Sequence, residues 1–180
     1  MPFVDYGLLI NKYPVGHMSE NIQALKEFDM FHCLLAGSPE RAAAVNSRVP
    51  DLPKDFLQWL EVCDGGMLFD TTMLTTKSRD NELGIDFYTY GDFSNAELRQ
   101  ELNLPKEWFV FAIAVHSDIF FFDTTKKDGK VYQWDVEDEV LYMEWTTFED
   151  WLNDEIHEAI EQIADDNLLP LAIKTRISDE

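Results

Sequence analysis

Between Trp108 and Asp135 the chain reads WFVFAIAVHSDIFFFDTTKKDGKVYQWD, and no other stretch restricts the fold as tightly. Three runs rich in β-branched and aromatic residues, Trp108 to Val115, Ile119 to Phe122 and Val131 to Trp134, are joined by short polar segments. Asp128-Gly129 is a hairpin-turn signal between the last two. VLYMEW, after a run of acids, adds a further strand, and two earlier segments, MLFDTTML and GIDFYTYGDF, read as strands as well. Connections this short favour antiparallel neighbours.

Helical signals lie on either side of this β-rich block. From Ser19 to Gly37 the positions Ile22, Leu25, Phe28 or Asp29, Phe31 or His32 and Leu35 recur at helical spacing, which predicts an amphipathic helix closing at Gly37. Ser38 followed by Pro39 is an N-cap and first-turn pair for a short alanine-rich helix over Glu40 to Asn46. After Leu52-Pro53, the residues Phe56, Leu57, Leu60 and Cys63 fall on one helical face, and Gly65 or Gly66 supplies the left-handed residue that stops the helix. The same glycines cannot form a phosphate cradle, because they follow a helix C-terminus instead of leading into an N-terminus. Ser94 with Glu97, and Thr146 with Glu149, are capping boxes for two more helices. The second has Phe148, Leu152, Ile156 (or Glu155), Ala159 or Ile160 and Ile163 on its inner face. The expected fold is α+β: one domain over residues 1–180, with a mostly antiparallel sheet flanked by N-terminal and C-terminal helices. Residues 1–18 and the tail from Asp165 carry no assignable element.

Charge bounds the function. The chain has 35 acids against 14 Lys and Arg, a formal net charge of -21. Such a field repels phosphate and anionic lipid, which argues against direct nucleic-acid or membrane binding, and attracts cationic partners. No apolar stretch approaches the length of a membrane span, the N-terminus lacks a basic region before its apolar residues, and two cysteines, Cys33 and Cys63, make no disulfide framework. A cytoplasmic protein is expected.

Several residue groups imitate catalytic or metal motifs without meeting their geometry. His116-Ser117-Asp118 has the residue types of a triad, but neighbours in one turn cannot form the relay. His157-Glu158 with Glu161 lacks the second histidine of a zinc helix, and Asp154 with His157 occurs once where a di-iron site needs two copies. His32-Cys33 has no companion ligands, and DTTKKDG from Asp123 lacks the acid spacing of a calcium loop. Trp134, Trp145 and Trp151 stand at strand and helix spacing, which favours core packing over partner contact. No catalytic residue, metal or cofactor is expected. One feature exceeds background: no Lys or Arg occurs from Val131 to Ile173, a span that holds 13 of the 35 acids. Two readings are open for it, a solvated acidic face or a one-signed field directed at a basic partner.

LPKDFLQWLEVCDGG, FVFAIAVHSDIFFFD, GKVYQWD and TTFEDWL follow one another in the order found in the SUKH superfamily of Smi-Knr type domains, which the chain resembles over roughly residues 52–152. Leu52, Pro53, Leu60, Gly65, Gly66, Asp118, Trp134, Phe148, Trp151 and Leu152 carry the likeness. His116-Ser117 departs from it, standing where a small Gly-rich turn is usual, and about fifty residues precede the minimal domain. The resemblance implies a non-enzymatic protein-binding module, either an immunity protein neutralising a polymorphic toxin, often a nuclease, or a regulatory or scaffold protein. For the first of these, the expected contact residues are Asp118, Trp134, Asp135, Glu137, Asp138 and Glu139, facing a toxin domain with a basic surface.

Overall fold

A computed structural model describes residues 31–33, 37–68, 71–77, 83–88 and 95–165, with side chains placed at 37–66, 68, 71–74 and 97–158. In chain order its elements are β1 (Phe31–Cys33), α1 (Pro39–Arg48), α2 (Lys54–Val62), β2 (Gly66–Leu68), β3 (Thr71–Met73), β4 (Thr75–Lys77), β5 (Leu83–Tyr88), α3 (Asn95–Glu101), β6 (Trp108–Ala114), β7 (Ile119–Asp123), β8 (Val131–Asp135), β9 (Val140–Trp145) and α4 (Phe148–Asp165). Seven strands form one sheet in the order β1-β2-β3-β6-β7-β8-β9, and β4 pairs with β5 separately. Every neighbouring pair is antiparallel. The fold is therefore α+β, as the sequence predicts.

The central strands are apolar along their whole length because both of their faces are covered. On one face, Phe56 of α2 and Phe148 and Trp151 of α4 meet Phe109, Phe111, Phe120 and Phe122 of β6 and β7. Phe56 lies 5.0 Å from Phe122, Phe111 lies 4.9 Å from Trp151 in an edge-on contact, and Phe120 lies 5.2 Å from Trp151. On the other face Trp108 stacks on Phe121 at 4.0 Å, and Phe121 stacks in turn on Tyr132 at 5.5 Å. A register shift between Val110 and Ala112 leaves Phe111 without a cross-strand partner. That bulge lets Phe111 join Phe109 and Ala112 on the helix side despite strict alternation elsewhere.

The turn Asp64-Gly65 has a double structural role. Gly65 adopts φ +77°, the left-handed conformation expected at the end of α2, while Asp64 is fully buried and ion-paired with Arg41 of α1. Gly37 closes the same corner. Its N–H donates to the Val62 carbonyl at 3.1 Å and that of Ser38 to Leu60 at 3.2 Å, satisfying carbonyls at the end of α2. A Cβ on Gly37 would sit 2.1 Å from the Leu60 oxygen, so only glycine allows this approach.

Three sequence expectations change. Residues 31–33 are strand β1, not helix: Phe31, His32 and Cys33 register against Leu68, Met67 and Gly66, and edge pairing with β2 overrides the helical periodicity there. The rest of the expected Ser19–Gly37 helix up to residue 30, with residues 34–36, lies outside the described residues, as do residues 1–18, Ser94 and the tail after 165. MLFDTTML is not one strand but parts of two, β2 and β3, paired as a hairpin. The cap of α4 is Thr147, not Thr146. Thr147 Oγ1 accepts the Asp150 N–H at 3.0 Å, and the Glu149 N–H donates to Asp55 Oδ2 at 3.0 Å instead of forming a capping box.

Candidate functional site

Antiparallel order brings two turns to one end of the sheet. β6 runs towards this end, Val115 to Asp118 reverse it into β7, and β8 returns to the same end before Val136 to Glu139 turn into β9. Ile119 is in register with Trp134, which sets the two turns side by side. Across this gap Gln133 Nε2 donates to Asp118 Oδ2 at 2.8 Å. Asp118 is thereby a half-buried link between strands as well as a surface carboxylate.

The β8–β9 turn is organised by its own first acid. Asp135 Oδ1 accepts the Asp138 N–H at 2.8 Å, an Asx-type turn, and Glu139 takes the left-handed conformation at φ +54°. Glu137, Asp138 and Glu139 are exposed, whereas Asp135 is half-buried. Of the six expected contact residues, the structure gathers Asp118, Asp135, Glu137, Asp138 and Glu139 at this end. Trp134 is half-buried, 5.2 Å from Trp108 in an edge-on contact, and supports the cluster from the sheet. Among the described residues none of these five carboxylates has a Lys or Arg partner.

The opposite end of the same strands has the opposite chemistry. Lys126, Lys127 and Lys130 lie in or beside the β7–β8 connection, and each is engaged. Lys127 pairs with Asp51 at 2.6 Å and Lys130 with Glu144 at 2.6 Å, while Lys126 sits 4.0 Å over the Tyr132 ring and 3.9 Å from Asp123. Burial would raise the Asp123 carboxyl, but hydrogen bonds from Thr125 and the charge of Lys126 outweigh it and hold the group below the usual range. Burial, with the hydrogen bond to Asp128, pushes the Tyr132 hydroxyl up. The hydrogen bond to Glu144 pushes the Lys130 ammonium up.

Several residues of these motifs have structural places in the fold. His116 and Ser117 are exposed turn residues, with Ser117 at φ +73°. Asp154 accepts the Trp145 indole N–H at 2.9 Å, and His157 Nδ1 lies 3.2 Å from the Asn153 carbonyl oxygen. Among the described residues no group of three or more His, Cys, Asp or Glu is placed to hold a metal, and no helix is long and apolar enough to cross a membrane. Sequence reasoning missed the Arg41–Asp64 pair and the exposed apolar run of β9. The second was visible as VLYM between acids, but only topology shows that it lies at an edge.

These observations define an α+β domain in which helices cover one face of an antiparallel sheet whose turn end is acidic. The chain belongs to the SMI1/KNR4 family (SUKH-1), whose model matches residues 43–154, well over half of its length. The match begins within α1, earlier than the likeness beginning at Leu52. No curated protein and no solved structure gives a significant match. The family is known for immunity and regulatory roles and is generally non-catalytic.

Proposed function

We propose that this chain is a non-enzymatic immunity-type protein that binds and neutralises a toxin domain with a basic surface, such as a nuclease, through the acidic end of its sheet. One observation carries the reading: Asp118, Asp135, Glu137, Asp138 and Glu139 lack cationic partners among the described residues, while Lys126, Lys127 and Lys130 at the other end are each engaged. Clustered like charges oppose folding by repulsion, so an uncompensated cluster has a use when a cationic surface meets it. The phosphate-binding Lys and Arg of a nuclease would supply that surface, and occupying them would block substrate. The regulatory reading of the same fold differs only in the partner.

The test is a pull-down from native cells with the intact protein at about 50 mM and about 500 mM salt, followed by co-expression of any retained toxin domain with this chain. Rescue of growth together with salt-sensitive capture supports neutralisation. Capture of cellular proteins alone, with no rescue from any toxin, transfers the reading to regulation. The triple variant Glu137→Lys, Asp138→Lys, Glu139→Lys should slow association at least about ten-fold at low salt with the melting temperature not lowered. Asp135 is left out of it because its carboxylate builds the turn.

A further inference from the structure

β9 is the outermost strand of the seven-stranded sheet, and no strand pairs with its outer side among the described residues. Its side chains remain in water: Val140, Leu141, Tyr142 and Met143 are all exposed, Tyr142 by 68%. Four consecutive exposed apolar residues on a free strand edge present both unpaired backbone groups and a hydrophobic contact surface. Proteins usually blunt such edges with lysine, proline or an inward-pointing charge. Residues 140–143 contain none of these, and the one charge further along β9, Glu144, is taken up by Lys130.

The strand does carry a bulge. Gln133 registers with Met143 and Trp134 with Leu141, so Tyr142 has no cross-strand partner. A bulge bends the strand and makes it a poor match for the flat edge of another folded sheet, whereas a flexible segment can follow the bend. Charge selects further. The acids Glu137, Asp138 and Glu139 stand at one end of β9, and Glu149 and Asp150 follow its other end. A second copy pairing edge to edge would bring these acids near acids of the other copy in either strand direction, which disfavours a homodimer.

We infer that the β9 edge is a docking edge for an extended, basic protein segment, which adds to the sheet as an eighth strand and packs apolar side chains against Tyr142 and its neighbours. This rests on the proposed function only in expecting a basic protein partner. The segment alternates Lys or Arg with apolar residues, its cations reaching the acidic turn and its backbone completing the ladder.

The probe is a synthetic peptide of about eight residues alternating Lys and Val, compared with a Glu and Val peptide and with a proline-interrupted peptide of the same positive charge. Titrated into the intact protein, the Lys and Val peptide should slow amide hydrogen exchange in residues 140–145 at least about ten-fold, and the other two should not. The exposed double variant Leu141→Lys, Met143→Lys should keep the fold and weaken the Lys and Val peptide at least about ten-fold. Equal binding of the proline peptide, protection anywhere but β9, or binding unaffected by the double variant would each overturn the inference. No toxin enters this experiment, so its failure leaves neutralisation to be judged by co-expression, and failed rescue leaves the edge to be judged by exchange.

Discussion

β7 and β9 are built from similar residues and meet opposite fates. IFFFD in β7 is buried almost throughout, with Phe121 1% exposed, whereas VLYMEW in β9 leaves Tyr142 68% exposed. Hydrophobic content does not separate them. Position does: β7 has strands on both sides and aromatic layers on both faces, while β9 closes the sheet with one neighbour. The centre is thus specified by packing, and the edge is left available because, among the described residues, no strand lies on the outer side of β9.

The sharpest way to break this contrast is to remove a ring from the centre. Phe111→Ala takes away the bulge residue that touches Phe56, Phe122, Phe148 and Trp151, and should cost about 3–5 kcal/mol in urea unfolding. A loss below about 1 kcal/mol would mean that the aromatic layer does not specify the centre. A smaller effect of opposite sign is expected at the turn between the centre and the acidic end. Ser117 stands at φ +73°, a conformation that disfavours side chains, so Ser117→Gly should stabilise by up to about 1 kcal/mol, read as a rise in melting temperature. At the edge, Tyr142→Ser should change stability by no more than about 0.5 kcal/mol, although it removes a large aromatic ring. A cost comparable to that of Phe111→Ala would show that β9 is packed rather than open.

Much of the architecture was legible before the structure. Pro39, Pro53, Gly65 and the Asp128-Gly129 signal mark element ends through local backbone rules, and local rules are what a single sequence displays. β1 was not legible, because Phe31 to Cys33 continue a helical pattern and become strand only through pairing with β2, a partner more than thirty residues away. Nor was the Arg41–Asp64 pair, since nothing local tells a buried acid from an exposed one. The candidate site was half legible. Acid runs can be counted in the sequence, but the separation of acids without cationic partners at one end from Lys126, Lys127 and Lys130, each engaged, at the other needs the strand order.

Asp55 has a consequence for how the chain comes together. Its two oxygens accept the N–H of Phe56, in its own helix, and that of Glu149, 94 residues later, so α2 holds a ready acceptor for the start of α4. During synthesis α2 leaves the ribosome long before α4 exists, and Phe56 waits beside strands that lack Phe148 and Trp151. Assembly of the helix-covered face is thereby postponed until α4 emerges, and a nascent chain stopped before Phe148 carries its aromatic layer open to chaperones and proteases.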